Sequence, residues 1–230
     1  RVLELHPSLK HLGIARNGID TLHGVARFTD KNSIEISGTR YDATHFLIAT
    51  GARPRPLDVP GHQHLVDSTD FLDLEVLPPR ILFVGGGFVS FEFAHISARA
   101  GSNPTILDRG ARPLKGFDPD LVELLITRGT EAGIELRRST TITAIEKSEN
   151  GYQVSVERSG QPESLEFDLV VHGAGRTPEL ASLDLDAAGV AWDEHGVHVA
   201  AHLQSTTNPA VYAAGDSANS PGMPLTPVAV

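Results

Sequence analysis

The most constraining feature of the sequence is a glycine turn between a short apolar strand and a helix. Ile81-Leu82-Phe83-Val84 predicts a buried strand, Gly85-Gly86-Gly87 turns the chain, and the stretch from Phe88 to Ala100 predicts a helix. Thr105-Ile106-Leu107 predicts a second strand directly afterwards. A strand, a helix and a second strand within about thirty residues form a crossover unit, which predicts a parallel sheet covered by helices.

The turn itself matches the pattern G-x-G-x-x-small of dinucleotide-binding sites. Gly85 permits the tight turn, and Gly87 leaves room for a pyrophosphate to reach the amides at the helix start. Ser90 occupies the third position, where a small residue lets helix and strand pack closely, and its hydroxyl has to find a partner. Asp108 follows about twenty residues after Gly87, where a carboxylate accepts the ribose hydroxyls of the cofactor. The alternative is that Asp108 only starts a turn.

The residues around Asp108 bear on which nicotinamide cofactor binds. The Asp108 carboxylate would repel a 2'-phosphate, so NADH is favoured over NADPH. Arg109, Arg112 and Lys115 follow at once, and such side chains can clamp a 2'-phosphate. The other interpretation of these three residues is a solvated basic turn.

The middle of the chain predicts a helix followed by an antiparallel excursion. Asp118 is a good N-cap, Pro119 suits the first helical position, and Gly133 ends the helix. Turn signals, among them Asn150-Gly151, separate the strands that follow. The predicted strands are 134–137, 142–145, 152–156 and 165–172, the last ending in the buried run 169–172.

Two further strands run into small residues with glycine. Phe46-Leu47-Ile48 is apolar throughout, which predicts a buried strand of a parallel sheet, and Ile34-Glu35-Ile36 predicts another strand before it. The sequence after Phe46–Ile48, residues 49–54, is echoed by residues 173–178: both contain small residues, then glycine, arginine and proline. Two related nucleotide-binding units would explain the echo, and so would chance reuse of turn residues.

A second ligand-binding signal lies near the C-terminal end of the sequence. Residues 211–216 run from a strand into Ala-Gly and place the carboxylate of Asp216 at the carboxyl end of that strand, where ligands of parallel sheets bind. Asp216 is therefore a candidate acceptor for a ribityl hydroxyl, and Gly215 would let a ligand lie against the backbone. The alternative is that Asp216 caps the next turn.

Composition excludes several classes of function. The formal net charge is -10, which argues against a nucleic-acid or anionic-membrane partner, and no apolar run is long enough to span a bilayer. The N-terminal residues show no signal-peptide pattern, so we expect a cytoplasmic protein that acts on a small molecule. The sequence contains no cysteine, so any thiol chemistry must come from other residues than these.

The 11 histidines do not predict a metal site. His62 with His64 and His195 with His198 are closely spaced, but no Asp, Glu or His accompanies them at a recognisable ligand spacing. We interpret these histidines as surface residues. His172 stands at a strand end, where it either lines the nucleotide cleft or plays a structural part.

Taken together, these segments resemble the pyridine nucleotide-disulfide oxidoreductase family, which includes glutathione reductase, dihydrolipoamide dehydrogenase and mercuric reductase. The resemblance is spread over almost the whole chain in the family's order. The segments that carry it are Ala49-Thr50-Gly51, Gly85 to Ala94, Gly175-Arg176-Thr177-Pro178, Val211 to Asp216, and Leu225 to Ala229.

The resemblance implies roles for particular residues. Phe88 matches an aromatic gate that covers the flavin until nicotinamide displaces it, and Glu92 matches an acid near the nicotinamide amide; these two are the candidate catalytic residues. Thr226, after Leu225, opens a helix whose N-terminus favours the anionic reduced flavin. The other candidate cofactor-binding residues are Ala49, Thr50, Gly51, Gly85, Gly87, Ser90, Asp108, Arg109, Gly175, Arg176, Gly215 and Asp216.

The resemblance also implies an architecture larger than this chain. The family's first FAD fingerprint and its redox cysteine pair would precede Arg1, and a dimerisation domain would follow Val230, so the full-length parent is expected to be a homodimer. Within the chain we predict a Rossmann-like α/β fold: a parallel sheet with a three-stranded antiparallel side sheet. Residues 1–77 and 178–230 would be two segments of an FAD-binding domain, and residues 78–177 the NAD(P)-binding domain.

The predicted function is hydride transfer from NAD(P)H to FAD, with the electrons passing to a disulfide or a similar acceptor in the full-length enzyme. The chain alone is expected to be inactive. The alternatives are a flavoprotein NADH oxidase or monooxygenase without a redox disulfide, and a nucleotide-binding module without catalysis.

Overall fold

The computed structural model describes residues 16–221, which form two compact units. Unit 1 is residues 54–175, and the described part of unit 2 is residues 16–53 and 176–221. None of the helices in the described part of the chain is long and apolar enough to cross a membrane.

Residues 16–221 contain three complete α-helices, three single-turn 3-10 helices (His62–His64, Ala181–Leu183 and Gly215–Ser217) and a series of strands. The helices are α1 (Ser68–Leu72), α2 (Phe88–Arg99) and α3 (Pro119–Glu131). The strands are β1 (Ala26–Asp30), β2 (Ser33–Ile36), β3 (Thr39–Asp42), β4 (Phe46–Ile48), β5 (Ala52–Pro54), β6 (Arg80–Val84), β7 (Asn103–Leu107), β8 (Glu135–Arg137), β9 (Thr140–Ser148), β10 (Gly151–Arg158), β11 (Gln161–Phe167), β12 (Leu169–His172), β13 (Arg176–Pro178), β14 (Trp192–Asp193), β15 (Gly196–His198), β16 (Val211–Ala213) and β17 (Ala218–Asn219).

A four-stranded parallel sheet forms the centre of unit 1, in the order β12-β6-β7-β8. Alternate residues of β6 serve two different cores. Ile81 and Phe83 pack in one apolar cluster with α2 and α3, whereas Leu82 and Val84 pack in another with the strands β9 to β11. Because both faces of β6 are covered, its residues are apolar without alternation, as the sequence predicted.

The two long helices begin and end as the sequence predicted. Asp118 accepts hydrogen bonds from the amides of Asp120 and Leu121, and Pro119 is the first residue of α3. The inner face of α2 carries Phe91 and Phe93 among small residues. The small residues let α2 lie close to the sheet, and the two aromatic rings fill the core between them.

The predicted antiparallel excursion is the side sheet β11-β10-β9. The predicted strand 165–172 is divided at Asp168, so that its first half belongs to the side sheet and its second half to the central sheet. The Asp168 carboxylate accepts the backbone N–H of Arg80 at 2.8 Å and its guanidinium at 2.6 Å. These bonds fix the point at which the chain passes from one sheet to the other.

Residues 54–77 pack within unit 1. Val66 lies beside β12, since its N–H donates to the carbonyl of Val170 and its own carbonyl accepts from His172. The Phe71 ring stacks on Phe93. The compact units divide at 53/54 and at 175/176. The predicted domain bounds at 77/78 and 177/178, and the assignment of the segments to particular cofactors, stay predictions.

Unit 2 contains the antiparallel sheet β1-β2-β3, the parallel pair β16-β4, the sheet β14-β15-β17 and the pair β13-β5. Its apolar core includes Phe28, Ile48 and Val211. The parallel pairing of Phe46–Ile48 confirms its predicted strand, but the expectation that the whole run is buried was wrong, because Leu47 is 66% exposed. Neighbouring strand residues point to opposite faces, and the face of β4 that carries Leu47 is open.

Candidate functional site

Gly85 is required by the packing of the turn. Its φ is +108°, in the region that favours glycine, and a Cβ there would lie 2.5 Å from the Cα of Ala174 and 2.5 Å from the carbonyl oxygen of Gly173. Its N–H donates to the carbonyl of Leu107 at 2.7 Å. The turn is thus held by the last residue of β7 and by the backbone that follows β12, and the second of these leaves room only for glycine.

Gly87 is in a different situation. It is the N-cap of α2, and a Cβ there would come no closer than 3.4 Å to the carbonyl oxygen of Gly173, so packing does not require a glycine. The first turn of α2 has neither a side-chain cap nor an acid, whereas Asp67 and Asp118 cap α1 and α3. The first amides of α2 therefore lack the acceptors that the other two helices have, and an anion would supply them.

Ser90 confirms the need for a small residue but not the predicted partner for its hydroxyl. The residue is fully buried, and its Oγ has no hydrogen-bond partner among the described residues. A Cβ on Gly173 would overlap this oxygen, so Ser90 packs directly against the chain after β12. The hydroxyl is tolerated here because the side chain is small, at the cost of an unmade hydrogen bond.

Asp108 lies beside the glycine turn, as predicted. Its Oδ1 accepts the N–H of Gly110 at 3.1 Å, so the residue does begin a turn. Its other oxygen faces Gly86, where a Cβ would lie 2.7 Å from the Asp108 Cγ. The turn role therefore uses one oxygen, and the second oxygen remains beside the glycines.

The contacts between Gly86 and the loop after Asp108 were not predicted from the sequence. The N–H of Leu114 donates to the carbonyl of Gly86 at 2.9 Å, and Pro113 lies against its Cα. Leu114 is buried and has a φ of +48°. The motif leaves the position between Gly85 and Gly87 open, so the sequence carried no signal for these contacts.

The basic residues of the same loop have separate surroundings. Arg109 and Lys115 are exposed, and the Arg112 guanidinium donates to the carbonyl of Phe117 at 2.7 Å. Arg112 thus has a structural partner, whereas Arg109 extends into solvent next to Asp108.

The two candidate catalytic residues both lie on α2. Phe88 is the first residue of the helix, and its half-buried ring packs against the core cluster on the helix side of the sheet. Glu92, one turn later, is exposed. The packing of Phe88 leaves both the gate and the core interpretations open to test.

In unit 2 the ends of two parallel strands meet through a residue that the sequence did not indicate. The buried Ser217 hydroxyl accepts the N–H of Gly51 at 3.0 Å and lies 3.3 Å from the Thr50 hydroxyl. Since β4 pairs with β16 in parallel, Ala49-Thr50-Gly51 and Gly215-Asp216 end at the same edge. The signal for Ser217 was its place directly after Asp216.

Asp216 lies in a short 3-10 turn that begins at Gly215, which has a φ of +63°. Its half-buried carboxylate has no side-chain or backbone partner within residues 16–221. Asp216 lies inside this turn, whose N-cap is Ala214, so it does not cap the turn itself.

The echo between residues 49–54 and 173–178 corresponds to similar local structure. Gly51 and Gly175 both have positive φ, and the short strands that follow them, β5 and β13, pair with each other. Within unit 2 the Arg176 guanidinium donates to the carbonyl of Ala52. The His172 ring bonds the carbonyl of Arg55 at 2.8 Å, which is a structural contact.

The remaining predicted residues do not add to either group. Leu225 and Thr226 lie outside the described residues. His198 bonds Asp193 at 3.0 Å, and its hydrogen bond is the main reason that the pKa of Asp193 lies below the ordinary value. Among residues 16–221, no three His, Asp or Glu side chains are grouped as metal ligands.

Comparison with known proteins identifies the family of the chain. The family model described as pyridine nucleotide-disulphide oxidoreductase matches residues 8–230. The chain is 34% identical to a glutathione reductase of Burkholderia cepacia over 94% of its own length and 47% of that protein. It is 36% identical to a dihydrolipoyl dehydrogenase of Thermus scotoductus, over 89% of the chain and 45% of the relative.

A mercuric reductase of Staphylococcus aureus is 31% identical over 88% of the chain and 38% of its own length, so the chain spans less than half of these relatives. Among solved structures, the HOCl-induced flavoprotein disulfide reductase RclA from Escherichia coli superimposes with a TM-score of 0.83 at 27% identity, over 96% of this chain and 51% of that one. The chain therefore belongs to the pyridine nucleotide-disulphide oxidoreductase family of flavin-dependent oxidoreductases.

Proposed function

We infer that the protein carrying this chain transfers hydride from NADH to FAD and passes the electrons to a disulfide or a similar acceptor. The observation that carries this proposal is in unit 1, where the uncapped start of α2 adjoins a glycine turn and the Asp108 carboxylate contacts the same turn. A dinucleotide needs an anion-binding set of amides and a hydroxyl acceptor at this spacing.

Each part of the dinucleotide has a candidate partner in unit 1. The pyrophosphate would accept hydrogen bonds from the first amides of α2, whose dipole favours an anion, and Gly87 leaves the backbone open to it. The free oxygen of Asp108 would accept from the adenosine ribose. NADH is favoured because a 2'-phosphate would face this carboxylate with like charge.

The residues of unit 2 fit a share in flavin binding. Asp216 offers a carboxylate that no residue of the described chain occupies, and Gly51 has open space where its side chain would be. Asp216 would hold a ribityl hydroxyl, and Thr226 is proposed to begin the helix near the flavin. Bound FAD would accept the hydride and release the electrons onward. A nucleotide-binding module without catalysis would not need the Asp216 carboxylate.

The cofactor proposal is tested by titrating NADH and NADPH against the chain and its Asp108→Asn variant. We expect NADH to bind more tightly to the original chain, and the variant to lose about tenfold in NADH affinity, or ~1.4 kcal/mol, with a smaller change for NADPH. Arg109→Gln is the matched comparison. If NADPH binds the original chain equally well or better, and loses affinity in Arg109→Gln, the ribose site belongs to Arg109 and the preference for NADH is wrong.

Phe88 is proposed to cover the flavin until nicotinamide enters, which would shield reduced flavin from oxygen. Because its ring is half-buried, Phe88→Ala should cost only about 1–2 kcal/mol of stability, against ~3–5 kcal/mol for Phe91→Ala, whose ring is 5% exposed. In the flavin-loaded full-length protein, the Phe88→Ala variant should oxidise NADH wastefully with oxygen. A large loss of stability with unchanged oxygen consumption would make Phe88 a core residue only.

A further inference from the structure

Gly86 is a glycine that neither the motif nor the backbone conformation explains. The dinucleotide pattern specifies the positions of Gly85, Gly87 and Ser90, and leaves the residue between the first two unspecified. Gly86 is also absent from the glycines of positive φ, so its conformation is open to any residue. The reason for a glycine here must lie in what surrounds it.

The surroundings are the loop that begins at Asp108. A Cβ on Gly86 would lie 2.7 Å from the Cγ of Asp108 and closer still to its Oδ2, and 2.8 Å from the Cβ of Pro113. The Gly86 carbonyl accepts the N–H of Leu114 at 2.9 Å. Gly86 is therefore enclosed by the loop on its side-chain side and bonded to the same loop through its backbone.

These contacts determine where the Asp108 carboxylate is held. The N–H of Gly110 binds Oδ1 at 3.1 Å, and the missing side chain of Gly86 provides the space for Oδ2. The buried Leu114 anchors the far end of the loop in the core, so the loop cannot retreat without losing packing. A methyl group at position 86 would instead be relieved most easily by rotation of the Asp108 side chain, its most flexible neighbour.

We propose that Gly86 is a specificity-determining residue, which admits the Asp108 carboxylate to the edge of the glycine turn and so selects the free diol of an adenosine ribose over a 2'-phosphate. This inference rests on the proposed binding of a nicotinamide dinucleotide at Asp108. Gly86 itself would touch no cofactor atom; it acts by positioning the acid that would bind the ribose.

The test compares Gly86→Ala with Gly116→Ala by titration of NADH and NADPH. Position 116 lies in the same loop region, has no atom within 4 Å of an added Cβ and lacks a positive φ, so it controls for the substitution itself. Gly86→Ala should lose about tenfold in NADH affinity and less for NADPH, so that the two affinities converge, and Gly116→Ala should leave both within about twofold. If Gly86→Ala folds poorly, the same comparison is made between Pro113→Gly and the double variant Pro113→Gly with Gly86→Ala, because Pro113→Gly removes the second close contact of the added methyl group.

A double-mutant cycle with Asp108→Asn separates positioning from a general disturbance of the turn. If Gly86 acts through Asp108, then Gly86→Ala should change NADH affinity by less than about threefold once Asp108→Asn is present. If Gly86→Ala still costs about tenfold in NADH affinity in the Asp108→Asn background, the proposed role of Gly86 is wrong. The same holds if Asp108→Asn abolishes the preference for NADH and Gly86→Ala leaves that preference unchanged. Either result contradicts only the role of Gly86 and not the ribose site. If Asp108→Asn itself leaves the preference unchanged, the ribose site of the proposed function fails instead.

Discussion

The two units close the carboxyl ends of their parallel strands in different ways. In unit 1, backbone meets backbone, because Gly85 lies against Gly173 and Ala174 with no room for a side chain. In unit 2, a side chain makes the connection, since the Ser217 hydroxyl accepts from Gly51 and adjoins Thr50. A glycine after an apolar strand thus marks the turn in both units, but it does not show what holds the turn in place.

Buried serines make the same contrast. Ser90 and Ser97 of α2 are fully buried, and their hydroxyls have no hydrogen-bond partner among the described residues. Ser217 of unit 2 is equally buried and bonded. In unit 1 serine therefore serves as a small residue at a close helix–sheet contact, and in unit 2 it serves as a hydrogen-bonding group.

The largest expected difference is in the stability lost when a glycine of each unit is replaced by alanine. Gly85→Ala adds a Cβ that overlaps fixed backbone and forces alanine to a φ of +108°, so it should destabilise unit 1 by about 4 kcal/mol or more. Gly51→Ala meets no atom within 4 Å and carries only the strain of a φ of +71°, about 1–2 kcal/mol. Denaturant unfolding of both variants measures the difference. Equal losses would show that the turn of unit 1 yields as readily as that of unit 2.

Serine to alanine changes should have opposite signs in the two units. Ser217→Ala leaves the Gly51 amide without its acceptor and should lower the free energy of unfolding by about 1–2 kcal/mol. Ser97→Ala removes an unpaired hydroxyl from a helix interior and should raise it by ~1 kcal/mol. Thermal unfolding of the two variants tests this, and a loss of stability in Ser97→Ala would mean that its hydroxyl has a partner in solution.

The smallest expected effect is the dependence of stability on acid pH. The hydrogen bond from Arg80 holds the pKa of Asp168 below its ordinary value, so this acid stabilises the fold above about pH 4 and the stabilisation is lost as the pH falls through the lower pKa of the folded state. Asp168→Asn should remove about 1 kcal/mol at neutral pH and flatten the acid limb of the stability curve. Asp193→Asn is the comparison in unit 2. Its pKa is lowered as well, but its side chain is 41% exposed against 22% for Asp168, so the change should be smaller.

The sequence predicted most where local signals and burial agree. The strand β6, the helix α2 and the Asp118 cap follow from apolar runs, glycine and capping chemistry, and the structure has all three. The strands β1 and β3 were not predicted, because their residues are largely polar and they are held by pairing with β2. The exposure of Leu47 could not be read from an apolar run, since the run itself does not show which faces are covered.

The candidate sites divide in the same manner. Asp108 and Asp216 could be proposed as site residues because an acid at the end of a strand is visible in a single sequence. Ser217 and Gly86 were missed because their importance lies in contacts with residues far along the chain, Gly51 in one case and Pro113 in the other. Such contacts depend on the folded loop and leave no spacing pattern.

The tip of the side sheet has a practical consequence for anyone who wishes to attach a reporter. Ser159 and Gly160 join β10 to β11, both have positive φ, and both are exposed. A fluorescent protein or a short epitope spliced between them would replace a tight hairpin turn with a longer loop, and closing a longer loop costs little free energy. The hydrogen bonds between Asp168 and Arg80, at the other end of β11, would still join this hairpin to the central sheet. The label would therefore be attached to unit 1 and would leave the glycine turn unaltered.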